Sequence, residues 1–315
     1  MSEPRQGFSV DPDAATLDAE RPALMGLAYR MLGTVADAED AVQETYARWF
    51  RMSRQQRDDV QNVGGWLMRT ASRICLDLLG SARARREHYV GEWLPEPLPS
   101  SGLGAIGLSA ASATADPLDR VALDESVSTA MLVVLESLTP AERVAFVLHD
   151  VFAMSFAEIA EIVGRTPDAC RQLASSARRH IRERRAGAAT REQHAATTRA
   201  FLEAAASGEF DRLLRVLDPS VVAISDGGGL VNAARRPVVG ADRVARFLLG
   251  IIGRRGESMR TDVHETADGL VLTATEGGVV DSVTVLDVEG ERIVGVRIMR
   301  NPEKLALWNR ADAPH

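Results

Sequence analysis

The chain of 315 residues is 45% hydrophobic and 26% charged, carries a formal net charge of −7 and contains two cysteines. That is enough apolar material for two or three separately packed cores, whereas Cys75 and Cys170, far apart and without ligand spacing, support neither a disulfide framework nor a zinc site. No apolar run approaches the ~18 residues of a membrane span and the acidic N-terminus lacks an apolar targeting segment, so a cytoplasmic chain with no membrane partner is expected.

Residues 1–20 are expected to be a disordered tail. Residues 21–88 read as a first helical domain, its amphipathic runs interrupted at “RDDVQNVGG”, where Asn62, Gly64 and Gly65 break the period. Within it, “TVADAEDAVQETYARWF” sets Asp37, Asp40 and Glu44 on one helical face and Ala38, Val42, Thr45 and Trp49 on another. Such a carboxylate row suits a basic protein partner and repels DNA, or is simply a solvated face. After the break, “GWLMRTASRICLDLLGSARARREH” places Arg69 and Arg73 together, with Trp66 either exposed at the helix start or beginning the core.

From residue 89 to 115 the composition shifts to Pro, Gly, Ser and Ala, a linker unable to fold alone. Its “WLPEP” is stiffened by Pro95 and Pro97 around Glu96, with Trp93 and Leu94 as anchors of the kind that lie in a groove. Helical periodicity returns over residues 116–185. A short hinge follows, and residues 192–315 begin with two helical runs and continue through “SVVAISDGG”, “GLVLTATEG”, “GVVDSVTVLDVEG” and “RIVGVRIMR”. Four or more strands are predicted, read as an antiparallel sheet, with a helix at “ADRVARFLLGIIG” and a short terminal helix at “NPEKLALWNR”, giving an α+β domain. Asp226, Gly227, Gly228 and Gly229 form a turn with backbone donors and one carboxylate, and Asn301 with Pro302 can cap the last helix. Lys304 is the only lysine in the chain. Each of these motifs also has a plain reading as turn or helix punctuation.

The segment “SFAEIAEIVGRTPDACRQLASSARRHIRERR”, residues 155–185, raises a question of charge. Ser155 and Glu158 form a capping box, Gly164 ends that helix, and Thr166 with Pro167 opens the next. This is helix-turn-helix punctuation. In the second helix Cys170, Leu173, Ala174, Ala177 and Ile181 share a buried stripe, while Arg171, Arg178, Arg182 and Arg185 form a cationic ridge facing away from it. Residues 165–185 hold seven arginines against Asp168 and Glu183. Because screening limits each phosphate's view to roughly 8 Å, this local excess outweighs the negative total. Arg165, Asp168, Arg171, Gln172 and Ser175 are placed to meet base edges, and Arg178, Arg179 and Arg182 to hold phosphates.

Together, “LMGLAYRMLGTVADAEDAVQETYARWF”, “WLMRTASRICLDLL” and “LTPAERVAFVLHDVFAMSFAEIAEIVGRTPDACRQLASSARRHI” resemble the extracytoplasmic-function (ECF) sigma factors of bacterial RNA polymerase, over residues 21–185. The resemblance implies that region 2 docks through Asp37, Asp40 and Glu44 on the β′ clamp helices of core polymerase. It further implies that Asn62, Trp66, Arg69 and Arg73 engage and melt the −10 element, and that region 4, a partner of the β flap, reads the −35 element with the helix from Pro167. Acidic and basic surfaces then belong on one molecule.

The remaining residues resemble the SnoaL-like, nuclear-transport-factor-2-like cone. “YVGEWLPEPL”, “SDGGG” and “NPEKL” resemble the sigma subfamily with such a domain fused at the C-terminus. The implied architecture is two all-α domains followed by an α+β cone. Its regulatory contacts would run through Trp93, Leu94, Pro95, Glu96, Pro97, Asp226, Gly227, Gly228, Gly229, Asn301, Pro302 and Lys304. Leu230 stands where that subfamily often has lysine, so no contact relying on a cation there is carried over. Such cones enclose a pocket with room for a small-molecule ligand. His264, Asp226, Asp262 and Asp281 are the candidates for proton transfer if the pocket is catalytic. No Walker loop, dinucleotide fingerprint or metal cluster is present, so no cofactor or metal is expected. Two rivals remain at this stage: a polymerase-independent helix-turn-helix regulator, and an enzyme that its helical part targets to DNA.

Overall fold

A computed structural model describes residues 12–86, 89–105, 127–185, 187–255 and 259–311. Helix α1 spans Pro12–Leu32. Residues 12–20, expected to belong to a disordered tail, are therefore helical, and Leu17 is buried against the neighbouring helices; residues 1–11 lie outside the described residues. Helix α2, Val35–Arg51, starts at Thr34, whose hydroxyl accepts the Asp37 N–H, and buries Ala38, Ala41, Val42, Thr45 and Trp49 along one stripe. Helix α3, Arg54–Asp58, opens with a Ser53/Gln56 capping box, and α4 runs Val63–Arg86. Residues 92–99 are extended, leading into α5, Ser100–Ala105.

The second helical segment comprises α6, Thr129–Glu136, and α7, Pro140–Phe146, which continues into one π-helical turn, Val147–Val151. Helices α8, Phe156–Val163, and α9, Pro167–Arg184, follow. Much of the expected linker and the first residues of the second helical domain, 106–126, lie outside the described residues.

The two helical domains do not keep separate cores. Leu24, Met25, Leu67 and Ala71 from the first belong to the same buried cluster as Leu132, Val144, Ile159 and Ala177 from the second. Each half by itself would leave an apolar face of α1 or α4 uncovered, and packing the two together buries it. Arg143 of α7 strengthens the seam. Its guanidinium, 3% exposed, donates to the carbonyl of Met31 at the end of α1 and to Glu136. Burial pulls the Arg143 group down to about 10.

The third domain sets α10, Arg191–Ser207, α11, Phe210–Val216, and α12, Ala241–Arg255, against a sheet. Its strands are β1, Leu217–Asp226, β2, Val238–Val239, β3, Met259–Thr266, β4, Gly269–Glu276, β5, Val279–Glu289, and β6, Arg292–Met299. Their order is β2-β1-β6-β5-β4-β3. The sheet is mixed, not purely antiparallel as expected, because β6 pairs with β1 in parallel. The connection between those two strands contains α12 and a three-strand meander, long enough to bring the chain back in the same direction. A 3₁₀ turn, Pro302–Leu305, and α13, Ala306–Ala311, close the chain on the sheet face opposite α10 and α12.

Candidate nucleic-acid interface and linker junction

The helix-turn-helix is built as its punctuation requires. Ser155 and Glu158 make the reciprocal cap of α8, Gly164 ends it in the left-handed region at φ 70°, and the Thr166 hydroxyl accepts the Ala169 N–H at the start of α9. Cys170, Ala174, Ala177 and Ile181 are buried, with Leu173 half-buried beside them. Arg165, Pro167, Asp168, Arg171, Gln172, Ser175, Arg179 and Arg182 are all exposed on the other side. Arg171 is held by Asp168 of its own helix at 2.5 Å and lies over the Phe156 ring. Arg178 differs from its expected role. It is half-buried and its Nε donates to Asp150 at 2.7 Å, so it braces α9 on the turn before α8.

The expected −10 residues are less free. Asn62 is exposed but uses its Oδ1 to cap α4 through the Gly65 N–H at 2.9 Å. Trp66 is half-buried, edge-on to Trp49 at 5.2 Å between ring centroids, and thus begins the core. Arg73 donates to the Glu161 carbonyl at 3.0 Å, and Arg69 lies 3.8 Å from the Glu161 carboxylate. Glu161 belongs to α8, so the helix-turn-helix itself holds both arginines.

The acidic row is split in the same way. Asp37 accepts the Thr34 hydroxyl at 2.7 Å and helps to start α2, and Asp40 is exposed. Glu44 accepts from Arg48 at 2.9 Å and Arg51 at 3.1 Å. The Arg48 hydrogen bond, supported by the charges of Arg51 and Arg48, holds the Glu44 carboxyl below its ordinary range.

The motifs at residues 89–97, 226–229 and 301–304, whose bonded residues lie up to 212 positions apart in sequence, meet at one junction. Asp226, 0% exposed, accepts from Tyr89 Oη at 2.7 Å, from the Leu94 N–H at 2.9 Å, from the Gly228 N–H at 3.0 Å and from Lys304 Nζ at 2.8 Å. Lys304 donates as well to the Leu94 carbonyl at 2.6 Å and lies 4.3 Å from the centre of the Trp93 ring. Asn301 donates to Tyr89 Oη at 3.0 Å and caps the 3₁₀ turn. Gly228, at φ 63°, leaves no room for a side chain, since a Cβ would stand 2.5 Å from Asn301 Nδ2. Gly227 and Gly229 complete the turn, while Pro302 is the exposed first residue of the 3₁₀ segment. The chain's sole lysine is thus buried, where a compact ammonium with three donors satisfies one carboxylate and one carbonyl under two aromatic rings.

The same linker reaches back to the first domain. Its backbone pairs through Glu96 N–H to the Gly33 carbonyl at 2.8 Å, and the Tyr29 hydroxyl donates to the Glu96 carbonyl at 2.5 Å. The Glu96 carboxylate, 4% exposed, accepts the Val35 N–H at 2.8 Å at the start of α2. Burial pushes Glu96 up to about 7, against the pull of the Val35 bond and the Lys304 charge. Pro95 and Pro97 are buried, and Pro97 gives its carbonyl to Trp308 Nε1 at 2.8 Å. Residues 94–99, within a linker read as unable to fold alone and as carrying groove-binding anchors, form a buried strap between two domains.

Several participants carry no signal in the sequence alone. Tyr29, Arg143, Glu161 and Asp268 look like ordinary helix or turn residues, yet each crosses between domains. Asp268, in the β3–β4 turn, accepts the Thr129 hydroxyl at 2.9 Å and the Ala130 N–H at 3.2 Å, and so caps α6. Of the residues considered for proton transfer, Asp226 sits in the junction and Asp262 pairs with Arg260. Asp281 pairs with Arg300, and His264 bonds Thr273 and packs edge-on to Trp308. Among the described residues no group of three or more His, Cys, Asp or Glu could hold a metal, and no helix is long and apolar enough to cross a membrane.

Comparison with known proteins agrees with this division. Residues 17–85 match the model of Sigma-70 region 2, and residues 128–181 that of Sigma-70, region 4. The ECF RNA polymerase sigma factor SigJ of Mycobacterium tuberculosis is 38% identical over 307 residues, covering 95% of this chain and 92% of that protein. The probable ECF RNA polymerase sigma factor SigI of the same species is 42% identical over 241 residues, covering 76% of this chain and 77% of the relative. The crystal structure of SigJ superimposes with a TM-score of 0.69 at 31% identity, covering 96% of this chain and 99% of that one, the third domain included. A helical frame with an exposed recognition helix, fused to an α+β domain that grips the intervening strap, therefore belongs to a member of the ECF RNA polymerase sigma factor family.

Proposed function

We propose the following division of labour for this sigma factor, which binds core RNA polymerase and directs it to promoters. The carboxylate row of α2, Asp37, Asp40 and Glu44, meets the β′ clamp helices. The N-terminal half of α9, from Arg165 to Ser175, reads base edges of the −35 element, and Arg179 and Arg182 hold its phosphates, while region 4 rests on the β flap. Asn62, Trp66, Arg69 and Arg73 face the −10 element, where an unstacked base captured on an aromatic or amide side chain offsets the few kcal/mol lost from stacking. The observation that carries this reading is the capped N-terminal half of α9, its arginine-bearing outer face exposed, on a chain whose relatives are sigma factors.

The third domain then acts as a built-in regulator. Asp226 and Lys304 grip the strap between regions 2 and 4, and Asp268 grips the first helix of region 4. A domain holding both ends of a linker sets the spacing of the two DNA-binding parts, and a coupling of ~1–3 kcal/mol suffices to shift their populations. The test is transcription with core polymerase over a randomised promoter library, comparing the full chain with one ending near residue 190. A promoter-specific product with altered output or sequence preference on truncation is expected. Tight duplex binding with no polymerase-dependent transcript would instead favour a free-standing regulator.

A further inference from the structure

Both faces of the third domain's sheet are in use. The strap docks on one; the other, beneath α10 and α12, encloses a cavity of about 640 Å³. Its helix side is hydrocarbon, formed by Phe201, Leu202, Phe247, Leu248, Ile251 and Ile252. The sheet side is polar in one place. Strand register puts Ser225 and Thr284 on either side of Ile298 in one row, and Ser282 follows two residues before Thr284 on the same wall. Among the described residues, neither the Ser225 nor the Ser282 hydroxyl is engaged by another group, although both residues are buried. Two arginines also belong to the described lining: Arg300, which Asp281 already neutralises at 2.9 and 3.0 Å, and Arg254, which is exposed at the end of α12. The described lining contains no Asp, Glu, His, Cys or Lys, so the wall offers no acid or base for turnover.

A largely apolar volume within the ~300–1,000 Å³ range of small-molecule sites, with unused serine hydroxyls on its buried wall and the guanidinium beside them already compensated, selects its occupant by chemistry. Against the sheet wall a carboxylate would have to break the Arg300–Asp281 pair, since Arg254 stands exposed at the far end of α12, and an ammonium would enter without a counter-ion; either is costly away from water. We infer that the cavity is a receptor site for a neutral, largely hydrocarbon molecule with one or two oxygen functions bonded to Ser225 and Ser282, and that its occupancy is transmitted to the linker junction.

Strand alternation supplies the transmission. On β1, Ser225 lines the cavity while its neighbour Asp226 holds the strap. Just beyond β6, Arg300 lines the cavity while its neighbour Asn301 holds Tyr89. The Arg300 N–H donates to the Asp226 carbonyl at 2.7 Å, which ties the two pairs together. A molecule pressing on one side is thus one peptide away from the contacts that grip the linker. This step rests on the reading that the third domain acts through the strap.

The test uses the full chain and Nile red, a neutral dye whose emission reports an apolar site. Saturable one-site binding is expected, displaced by 2-decanone and 1-decanol at concentrations at least tenfold below those needed with decanoate or decylamine. Ala205→Phe, which fills the cavity, should abolish dye binding. Ser282→Val should keep the dye but weaken 1-decanol about fivefold, the loss of one hydrogen bond, with an unchanged circular dichroism spectrum guarding against misfolding. Saturating 2-decanone should change amide exchange of residues 89–99 at least threefold in the parent chain. Absence of saturable binding, equal displacement by the ionic compounds, indifference to both variants, or a filled cavity with unchanged exchange would each overturn the inference. Transcription by the unliganded chain with core polymerase is scored separately, so that failure of the sigma reading and failure of the receptor reading are told apart.

Discussion

The arginines of α9 and those of α4 carry the same charge on similar helical faces, yet they differ in what they touch. Among the described residues Arg171 is partnered by Asp168 on its own exposed helix face and by the Phe156 ring, while Arg179 and Arg182 are exposed. Arg69 and Arg73, by contrast, are met by Glu161 from the other helical domain. The same closed arrangement buries Arg143 against Met31 and fuses two cores into one. In this state the face proposed to read the −35 element is presented, and the arginines proposed for the −10 element are met by region 4. On that proposal, simultaneous use of both elements requires α8 to leave α4, with the strap between the domains restraining the movement.

The largest effect is expected where the restraint is most deeply buried. Asp226→Ala leaves the Lys304 charge buried without its carboxylate and should cost about 3–5 kcal/mol of folding or docking stability. Denaturant unfolding and proteolysis within residues 89–99 of the full chain report it. Adding Lys304→Met should recover part of the loss, and an unchanged midpoint for the single variant would show that the junction is not what closes the molecule.

Next comes pH. Glu96 lies near 7 in the folded junction, against about 4.3 in an unfolded chain. The folded state therefore holds a proton that the unfolded state releases between those values. The stability tied to this group is fully present below about pH 4 and is lost as pH rises through 7. Docking of the strap should weaken from pH 5 to pH 8, and Glu96→Gln should flatten that profile. A profile that survives the substitution assigns the slope elsewhere.

Charge reversal at Asp37, Asp40 and Glu44 should weaken binding to core polymerase on the order of tenfold, chiefly through association, with helix content unchanged by circular dichroism. Equal affinity would remove α2 from the polymerase interface.

The two arginine faces can be separated directly. Arg171→Ala should cost about 1–3 kcal/mol and relax preference at one −35 position, whereas Arg182→Ala should weaken all sequences alike. Equal and uniform losses would dissolve the distinction between reading and holding residues.

The smallest effect belongs to Glu161→Gln. An exposed pair contributes at most about 1 kcal/mol, so stability should hardly move while affinity for a single-stranded −10 oligonucleotide rises a fewfold. Affinity that stays constant would mean that backbone and core contacts, not this carboxylate, keep region 4 on α4.

How much of this was legible depended on whether a residue's partner was local. The caps at Ser155 and Thr166, the buried stripe of Cys170, Ala174, Ala177 and Ile181, and the strands through Val221 and Leu270 follow from neighbours within a few positions. The contacts of Arg178 with Asp150 and of Trp66 with Trp49 could not be read in advance, because they cross turns that periodicity does not describe. The helical start at Pro12 and the parallel β1–β6 pair were missed for a related reason, since both depend on packing against distant segments.

By itself the sequence determined the helix-turn-helix, the charge on its outer ridge, the carboxylate row and the three unusual motifs, because capping, period and local charge act over less than one or two helical turns. Only the tertiary structure decided that these motifs share one buried carboxylate, that the chain's single lysine closes the linker on it, and that Glu161 claims the second arginine face. Such pairings join residues up to 212 positions apart. Their strength comes from exclusion of water at a junction formed only when the domains pack, which is a property of the assembled interior and not of any stretch of chain.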